Sequence, residues 1–459
     1  MKIVICGAGL VGTAIARHLC EEQNDVTVID ASAESIQRIT DQYDVHGVVG
    51  VASHPDRLAE AGVRDAELLI AVTESDEVNM VACQVCHTIF NTPIKIARIR
   101  GKAYLDPAYH GLYGEENLPI DHIISPEAEV SASISNQLRV PGAFDVKNLC
   151  NGKMNLVGVL CTDSCPTLGT SLRHLTGLFP DLSMTILAII RDGEVILPRS
   201  GEESMQVGDR IYFVCDSTHL ERAMASFGHE ESEARSVVIA GGGSIGLMLS
   251  REIEAHFSNT ASQIIELNAA RAKAIAEELG GTGVINGDAL DSAILREAGV
   301  HMTETFVAVT EDDEVNILAA LLAKRTGAKH AVALVNVPGF IPLVSTLGVD
   351  AVINPSQITV SSILEHVRRG RIRDVHPIIE DLGEVLEAEA LSTSLLVGKP
   401  LRSAKIPKGV AIGGVFRDGN VIAVRGDTVI EAGDTVVIFV TRGKVAQVEK
   451  LLSVRLGFF

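Results

Sequence analysis

The stretch that most limits what this 459-residue chain can become is Lys2-Ile3-Val4-Ile5-Cys6-Gly7-Ala8-Gly9-Leu10-Val11-Gly12. Ile3 to Cys6 reads as a buried strand, and Thr13 to Glu22 reads as a helix. Between them stands Gly7-x-Gly9-x-x-Gly12. A side chain at Gly7 would obstruct so sharp a turn. Gly9 lets the backbone approach a pyrophosphate, and Gly12 lets the helix pack on the strand. The first N–H groups of the helix, with its dipole, favour an anion above the turn. A second strand, Asp25 to Ile29, ends in Asp30, eighteen residues past Gly12. A carboxylate there accepts hydrogen bonds from ribose hydroxyls. Strand, turn, helix and acid in this order point to a nucleotide site rather than a bare structural turn.

The signature is written twice, and that decides the architecture. Val237 to Ala240 is again a strand, followed by Gly241-x-Gly243-x-x-Gly246 and a helix. Gln263-Ile264-Ile265 leads to Glu266, twenty residues after Gly246. The fourth strands match best: Leu69-Ile70-Ala71-Val72-Thr73-Glu74-Ser75-Asp76-Glu77-Val78-Asn79 pairs with Phe306-Val307-Ala308-Val309-Thr310-Glu311-Asp312-Asp313-Glu314-Val315-Asn316. Further strands recur at Lys95 to Ile99 and Ala331 to Val335, then at His122 to Ile124 and Ala351 to Ile353. Strands alternating with helices predict an α/β fold: two Rossmann-like, doubly wound parallel sheets with ligands at the carboxyl ends of the strands.

A second repeat follows each sheet. Arg191-Asp192-Gly193 pairs with Arg417-Asp418-Gly419, and Asp-Gly between β-rich runs marks a hairpin. Val207-Gly208-Asp209 and Ala432-Gly433-Asp434 each open a further strand. Each sheet domain is therefore followed by a small α+β, hairpin-rich module. The predicted order is a Rossmann domain at 1–125, a small module with its connecting helix at 126–228 and a polar linker at 229–235. A second Rossmann domain at 236–355 and a second module with connecting helix at 356–459 complete it. Length alone predicts roughly three domains, with four in reach.

The formal net charge of −20 argues against nucleic acid and anionic lipid as partners. It suits a partner with a basic face, such as the cytoplasmic side of a membrane protein. No run approaches the ~18 apolar residues of a membrane span. Lys2 and the apolar residues after it mimic a signal peptide, but the spaced glycines favour strand and helix. The eight cysteines all lie in the first half, a distribution that favours reduced thiols over a disulfide framework. Cys83-x-x-Cys86 falls in a helical pattern without a second pair, and Cys161 and Cys165 flank Thr-Asp-Ser in a loop. Ordinary buried or loop thiols fit both better than zinc or redox chemistry.

Tandem Rossmann domains with Thr-x-x-Asp-x-x-Asn after the fourth strand, each followed by a module with Arg-x-Gly and Gly-Asp turns, resemble the RCK (or KTN) family. The resemblance spans essentially the whole chain. That family comprises cytoplasmic domains that regulate potassium channels and transporters. What the resemblance implies is a non-enzymatic, cytoplasmic regulator, peripheral on the inner face of the cell membrane. It would bind NAD or NADH, or ATP or ADP, and self-associate as a homodimer or tetramer ring. Its partner would be a TrkH- or TrkG-like potassium-translocating membrane subunit. Carried over residue by residue, the first site uses Gly7, Ala8, Gly9, Leu10 and Val11 for the phosphates, ahead of Gly12, and Asp30 for the ribose. Thr73 and Glu74 line the crevice, and Arg98 faces the nucleotide. The second uses Gly241, Gly242, Gly243, Ser244 and Ile245, ahead of Gly246, with Glu266, Thr310 and Glu311.

The copies differ at one telling place. Ala97-Arg98-Ile99 becomes Ala333-Leu334-Val335, so the second copy lacks a cation to compensate phosphate charge. Arg98 could instead pair with Asp30 or Glu74. Ser75 or Asp76 reads as a helix N-cap, and Asn79 and Asn316 face either crevice or solvent. The run Arg368-Arg369-Gly370-Arg371-Ile372-Arg373 reads as a solvated helix C-terminus, its cations answering the dipole. The rival reading is an NAD-dependent dehydrogenase. That chemistry needs a positioned acid or base, yet His174 and His219 look isolated and Tyr-x-x-x-Lys does not occur. Control of potassium efflux by the same architecture is a third.

Overall fold

The structure, a computed structural model, describes residues 1–179, 181–231, 233–367, 372–378 and 382–452. The first sheet domain runs β1 (Lys2–Cys6), α1 (Leu10–Glu21), β2 (Asp25–Asp30), α2 (Ala33–Gln42), β3 (His46–Val49), α3 (Pro55–Glu60), β4 (Leu68–Ala71), α4 (Asp76–Val85), β5 (Ile94–Arg98), α5 (Lys102–Leu105) and β6 (His122–Ile124). Helix α6 (Pro126–Arg139) leads to the first module: β7 (Ala143–Leu149), β8 (Met154–Leu160), α7 (Leu172–Leu178), β9 (Met184–Arg191), β10 (Glu194–Ile196), β11 (Arg210–Asp216) and α8 (Leu220–Ala225). The second sheet domain runs β12 (Ser236–Ala240), α9 (Ser244–His256), β13 (Ala261–Glu266), α10 (Ala269–Glu278), β14 (Gly283–Asn286), α11 (Ser292–Glu297), β15 (Thr305–Ala308), α12 (Asp313–Thr326), β16 (His330–Leu334), α13 (Ile341–Thr346) and β17 (Ala351–Ile353). Helix α14 (Pro355–Val367) precedes β18 (Ile372–Pro377), β19 (Gly383–Glu389), β20 (Val410–Arg417), β21 (Asn420–Ile422), β22 (Thr435–Thr441) and α15 (Val445–Leu452).

Both large sheets are parallel. Their strand orders, β3-β2-β1-β4-β5-β6 and β14-β13-β12-β15-β16-β17, are the doubly wound order that the alternation predicts. Central strands are covered on both faces, which is why Leu68 to Ala71 is apolar without alternation and fully buried. The order reverses between β1 and β4, and between β12 and β15. Each reversal opens a crevice at the carboxyl ends of those strands.

The two smaller sheets are antiparallel, ordered β10-β9-β11-β8-β7 and β18-β19-β22-β20-β21. Their hairpins turn at Asp192-Gly193 and Asp418-Gly419, all four residues at positive φ, as a two-residue turn with this twist requires. The Arg-x-Gly and Gly-Asp motifs meet in space. Arg191 donates two 2.7 Å bonds to Asp209, and Arg417 donates bonds of 2.7 and 2.8 Å to Asp434. Both aspartates are 1% exposed, so these are buried two-point ion pairs that tie one hairpin to the next strand.

The chain divides into two compact units, Met1–Glu129 with Pro355–Arg369, and Val130–Asn354 with Gly370–Phe459. Helix α14, which the sequence reading assigns to the second module, thus belongs with the first sheet domain. Its Val360, Ile363, Leu364 and Val367 recur at helical spacing and join Ile15, Ala16 and Leu19 of α1 in one core. At its end His366 stacks on His122 of β6, ring centres 3.7 Å apart. In the other unit, Arg139 of α6 lies over the Phe257 ring at 4.4 Å, a cation–π contact. The two antiparallel sheets share an apolar layer there, Leu156, Tyr212 and Val214 with Val385, Val437 and Phe439. Residues 368–371 of the arginine run lie outside the described residues.

Candidate functional site

The first crevice is built by its glycines. Gly7 has φ +112° and donates its N–H to the Ile29 carbonyl at 2.8 Å. A Cβ there would meet Val72 O at 3.0 Å and Thr73 N at 3.1 Å. A Cβ at Gly12 would fall on the carbonyl oxygen of Gly7. Only glycine lets α1 sit this close to the turn.

Helix α1 then begins bare. Its N-cap is Gly9, no side chain caps it, and the first helical bond is Thr13 N–H to Gly9 O at 2.9 Å. The N–H groups of Leu10, Val11 and Gly12 precede that bond and point out of the helix. Neighbouring helices begin differently: Ser32 accepts from Ser35 N–H, and Ser75 from Val78 N–H. The uncapped start leaves an anion seat where the others spend a side chain.

Asp30 is fixed beside this seat. Its carboxylate accepts the Ala8 N–H at 2.6 Å and the Ser32 N–H at 2.8 Å. Ala8 N–H is therefore engaged by the acid, so the donors open toward a phosphate are those after Gly9.

The far rim is held by the Thr-x-x-Asp-x-x-Asn motif, and here the structure takes neither orientation expected for the asparagines. Asn79 is fully buried. Its Oδ1 accepts from Thr73 N–H (2.9 Å) and the Thr73 hydroxyl (2.7 Å), and its Nδ2 donates to Thr73 O (3.2 Å) and Arg98 O (2.9 Å). Asn316 repeats this with Thr310 and Leu334 O. Asp76 accepts from Arg100 N–H and Gly101 N–H, and Asp313 from Asn336 N–H and Val337 N–H. The motif is a clamp tying the end of the fourth strand to the end of the fifth. Thr73 and Thr310 work inside it, while Glu74 and Glu311 remain exposed above.

Arg98 projects from the end of β5. One Nη donates to Thr73 O at 2.8 Å, and the buried Nε has no partner. It makes no ion pair with Asp30 or Glu74. Burial holds its guanidinium pKa below the ordinary value, with Arg100 acting the same way and Glu127, Asp76 and Glu74 opposing. A half-buried cation short of an anion is a candidate phosphate partner.

The second crevice repeats the cradle. Gly241 has φ +111°, a Cβ at Gly246 would fall on Gly241 O, and α9 starts at Gly243 with no side-chain cap. The donors there are the N–H groups of Ser244, Ile245 and Gly246. Glu266 accepts from Gly242 N–H (2.8 Å) and Asn268 N–H (2.7 Å). Leu334 is 3% exposed and simply packs. This crevice does not lack a cation, however. Arg271, three residues into α10, donates its Nε to Gly242 O at 2.9 Å and so lies against the glycine loop. Comparing fifth strands alone misses it, because it enters from the helix after the acid. Its signal in the sequence is Arg271 standing where the first copy has Ser35.

The models of two domain families each match twice. The TrkA-N domain covers residues 3–126 and 237–355, and the TrkA-C domain covers 156–228 and 385–453. The chain belongs to the TrkA family. It is 50% identical over 459 residues to the Trk system potassium uptake protein TrkA of Azorhizobium caulinodans, covering 100% of both chains. With the protein of the same name from Vibrio alginolyticus it shares 39% over 457 residues, 99% of each. Among solved structures it resembles the GsuK RCK domain, at TM-score 0.60 and 16% identity over 98% of this chain and 94% of that one. The GsuK channel bound to NAD gives TM-score 0.60 at 16% identity, over 98% and 78%. Within the TrkA family, then, the glycine cradle and the Thr-x-x-Asp-x-x-Asn clamp are both present in each half of this chain.

Proposed function

We propose that this TrkA-family chain is the regulatory subunit of a potassium uptake system, and that its crevices bind an adenine nucleotide whose presence is transmitted to a membrane-embedded potassium-translocating partner of the TrkH or TrkG kind. The observation that carries this reading is the pair of uncapped helix starts, each beside an acid anchored to the glycine loop. NAD or NADH fits the first crevice. Its pyrophosphate would meet Leu10, Val11 and Gly12 N–H and the Arg98 guanidinium, and its ribose hydroxyls the open lone pairs of Asp30. ATP or ADP, with one ribose and a phosphate chain, fits the same donors. The relatives' names supply the potassium uptake system, and the NAD-bound GsuK channel supports the ligand class.

The role proposed is binding and transmission, not catalysis. Among the described residues no helix is long and apolar enough to cross a membrane, so the translocating path would belong to the partner. We place the chain on the cytoplasmic face of that partner, as a dimer or larger ring. The functional blocks are the two sheet domains, residues 1–125 and 236–355, each read out through its small module. Transmission requires that the nucleotide bind one arrangement of the assembly more tightly than another, since it shifts the equilibrium only by that difference. The test is potassium flux into proteoliposomes holding the membrane subunit, with this chain added, across a nucleotide titration. Flux that tracks nucleotide only when the chain is present supports the proposal, and flux indifferent to both would overturn it.

A further inference from the structure

Six of the eight cysteines are accounted for by packing. Cys6, Cys83 and Cys86 share the core beside β4, and burial pushes Cys86 up to about 12. Burial likewise raises Cys215 to about 12 and Cys20 to about 11, which leaves these thiols protonated and inert. Cys150 is buried next to a backbone bond to Glu387.

Cys161 and Cys165 are different. Cys161 follows β8 and Cys165 lies four residues on, in a loop whose Asp163, Ser164 and Pro166 are exposed. The two residues are 1% and 4% exposed and line the same core cluster. The neighbouring Cys161 thiol holds the Cys165 pKa down to about 6 against burial, with Thr167 and His229 helping. The Thr167 hydroxyl is 3.3 Å from the Cys165 sulfur and donates to Ser226 O at 3.0 Å. The loop is thereby tied to the segment that runs through His229 into the linker.

The turn does not need sulfur. The second module builds it with the same bonds: Cys161 N–H to Asp209 O corresponds to Ala390 N–H to Asp434 O, both 2.8 Å. Gly208 N–H to Cys161 O matches Gly433 N–H to Ala390 O, and Cys165 N–H to Thr162 O matches Ser394 N–H to Leu391 O. Alanine and serine suffice there, so a thiol pair at this turn is not a requirement of the fold.

We propose that Cys161 and Cys165 are a redox site, forming a reversible disulfide when the chain meets a hydroperoxide. The Cys165 thiolate attacks one peroxide oxygen, the O–O bond breaks, and the departing oxide takes a proton and leaves as water or alcohol. The Cys161 sulfur then attacks the Cys165 sulfenic acid. Its S–O bond breaks, and hydroxide leaves with the Cys161 proton as water. Two thiols are oxidised by two electrons, and the peroxide is reduced. Drawing the sulfurs to bond length, about 2.0 Å, pulls on the Thr167–Ser226 tie beside the linker. A thiol reductant reverses it.

The test is hydrogen peroxide titration of the full chain, followed by alkylation and trypsin. The peptide Met154–Arg173 holds these two cysteines and no other. The expected result is that peptide, lighter by two hydrogens, before any other cysteine changes, and restored by dithiothreitol. Cys161→Ser, which keeps a hydroxyl donor beside Cys165 but no resolving sulfur, should trap a dimedone-reactive sulfenic acid at Cys165. The double variant Cys161→Ala/Cys165→Ser, which copies the second module, should keep the unfolding midpoint and lose the reaction. Oxidation elsewhere first, no linked peptide, or no dimedone adduct on Cys165 in Cys161→Ser would each overturn the proposal.

Discussion

Asn79 and Asn316 show how much a single buried amide can hold. Each spends its whole hydrogen-bonding capacity on the rim of its own crevice and none on solvent. Removing the amide strands the Thr73 N–H and the Arg98 carbonyl in a dry environment, each costing about 1–3 kcal/mol. Asn79→Ala should therefore destabilise the first sheet domain by roughly 3 kcal/mol, seen as a lower urea midpoint. Asn316→Ala should do the same to the second, and an unchanged midpoint would mean that the amide does not hold the rim together. Gly12→Ala should be worse, because its methyl lands on Gly7 O. We expect loss of nucleotide binding together with a lower midpoint. The glycines and acids were legible in the sequence, since their spacing carries their geometry. The asparagines were not: a residue one turn into a helix can face crevice, solvent or, as here, the next strand's carbonyl. Only the position of β5 chooses.

At the scale of elements, the strand and helix order followed from pattern, and so did both hairpins, because Asp-Gly admits few other turns. The placement of α14 did not follow. Its apolar stripe is plain in the sequence, but a stripe does not name its partner, and α1 proved to be it. The stacked pair of His366 and His122 gives this docking a pH dependence. Burial, then His122, holds the His366 pKa below its ordinary value. Folding thus favours the neutral ring. Its contribution is complete above the unfolded pKa, near 6.5, and is lost as pH falls through the lower folded value. Stability of the first unit should decline below about pH 6.5, and His366→Gln should flatten that decline in chemical denaturation across pH. Arg271 is the other element-level surprise, a cation supplied by α10 where β16 offers Leu334. Arg271→Ala should weaken nucleotide binding at the second crevice by about tenfold and leave the first unaltered. Calorimetry resolving two sites would show it.

Across the whole molecule, duplication sets the logic. One sheet-plus-module pattern occurs twice, and the copies differ at the crevice rims and at one turn: Arg98 against Leu334, Ser35 against Arg271, the Cys161–Cys165 pair against Ala390 and Ser394. The first crevice presents a cation from the fifth strand with an unfilled Nε, the second a cation from the helix after the acid. On the proposed reading, two cradles of one design with differently placed cations would let the chain distinguish nucleotides. The measurement that bears most directly on this is calorimetric titration of the full chain with NADH, NAD, ATP and ADP, repeated on Asp30→Ala and Arg98→Ala. If the first crevice is a nucleotide site, at least one of the four binds saturably there, weakened about tenfold or more by either substitution. Silence toward all four, or binding that neither substitution changes, would contradict that reading.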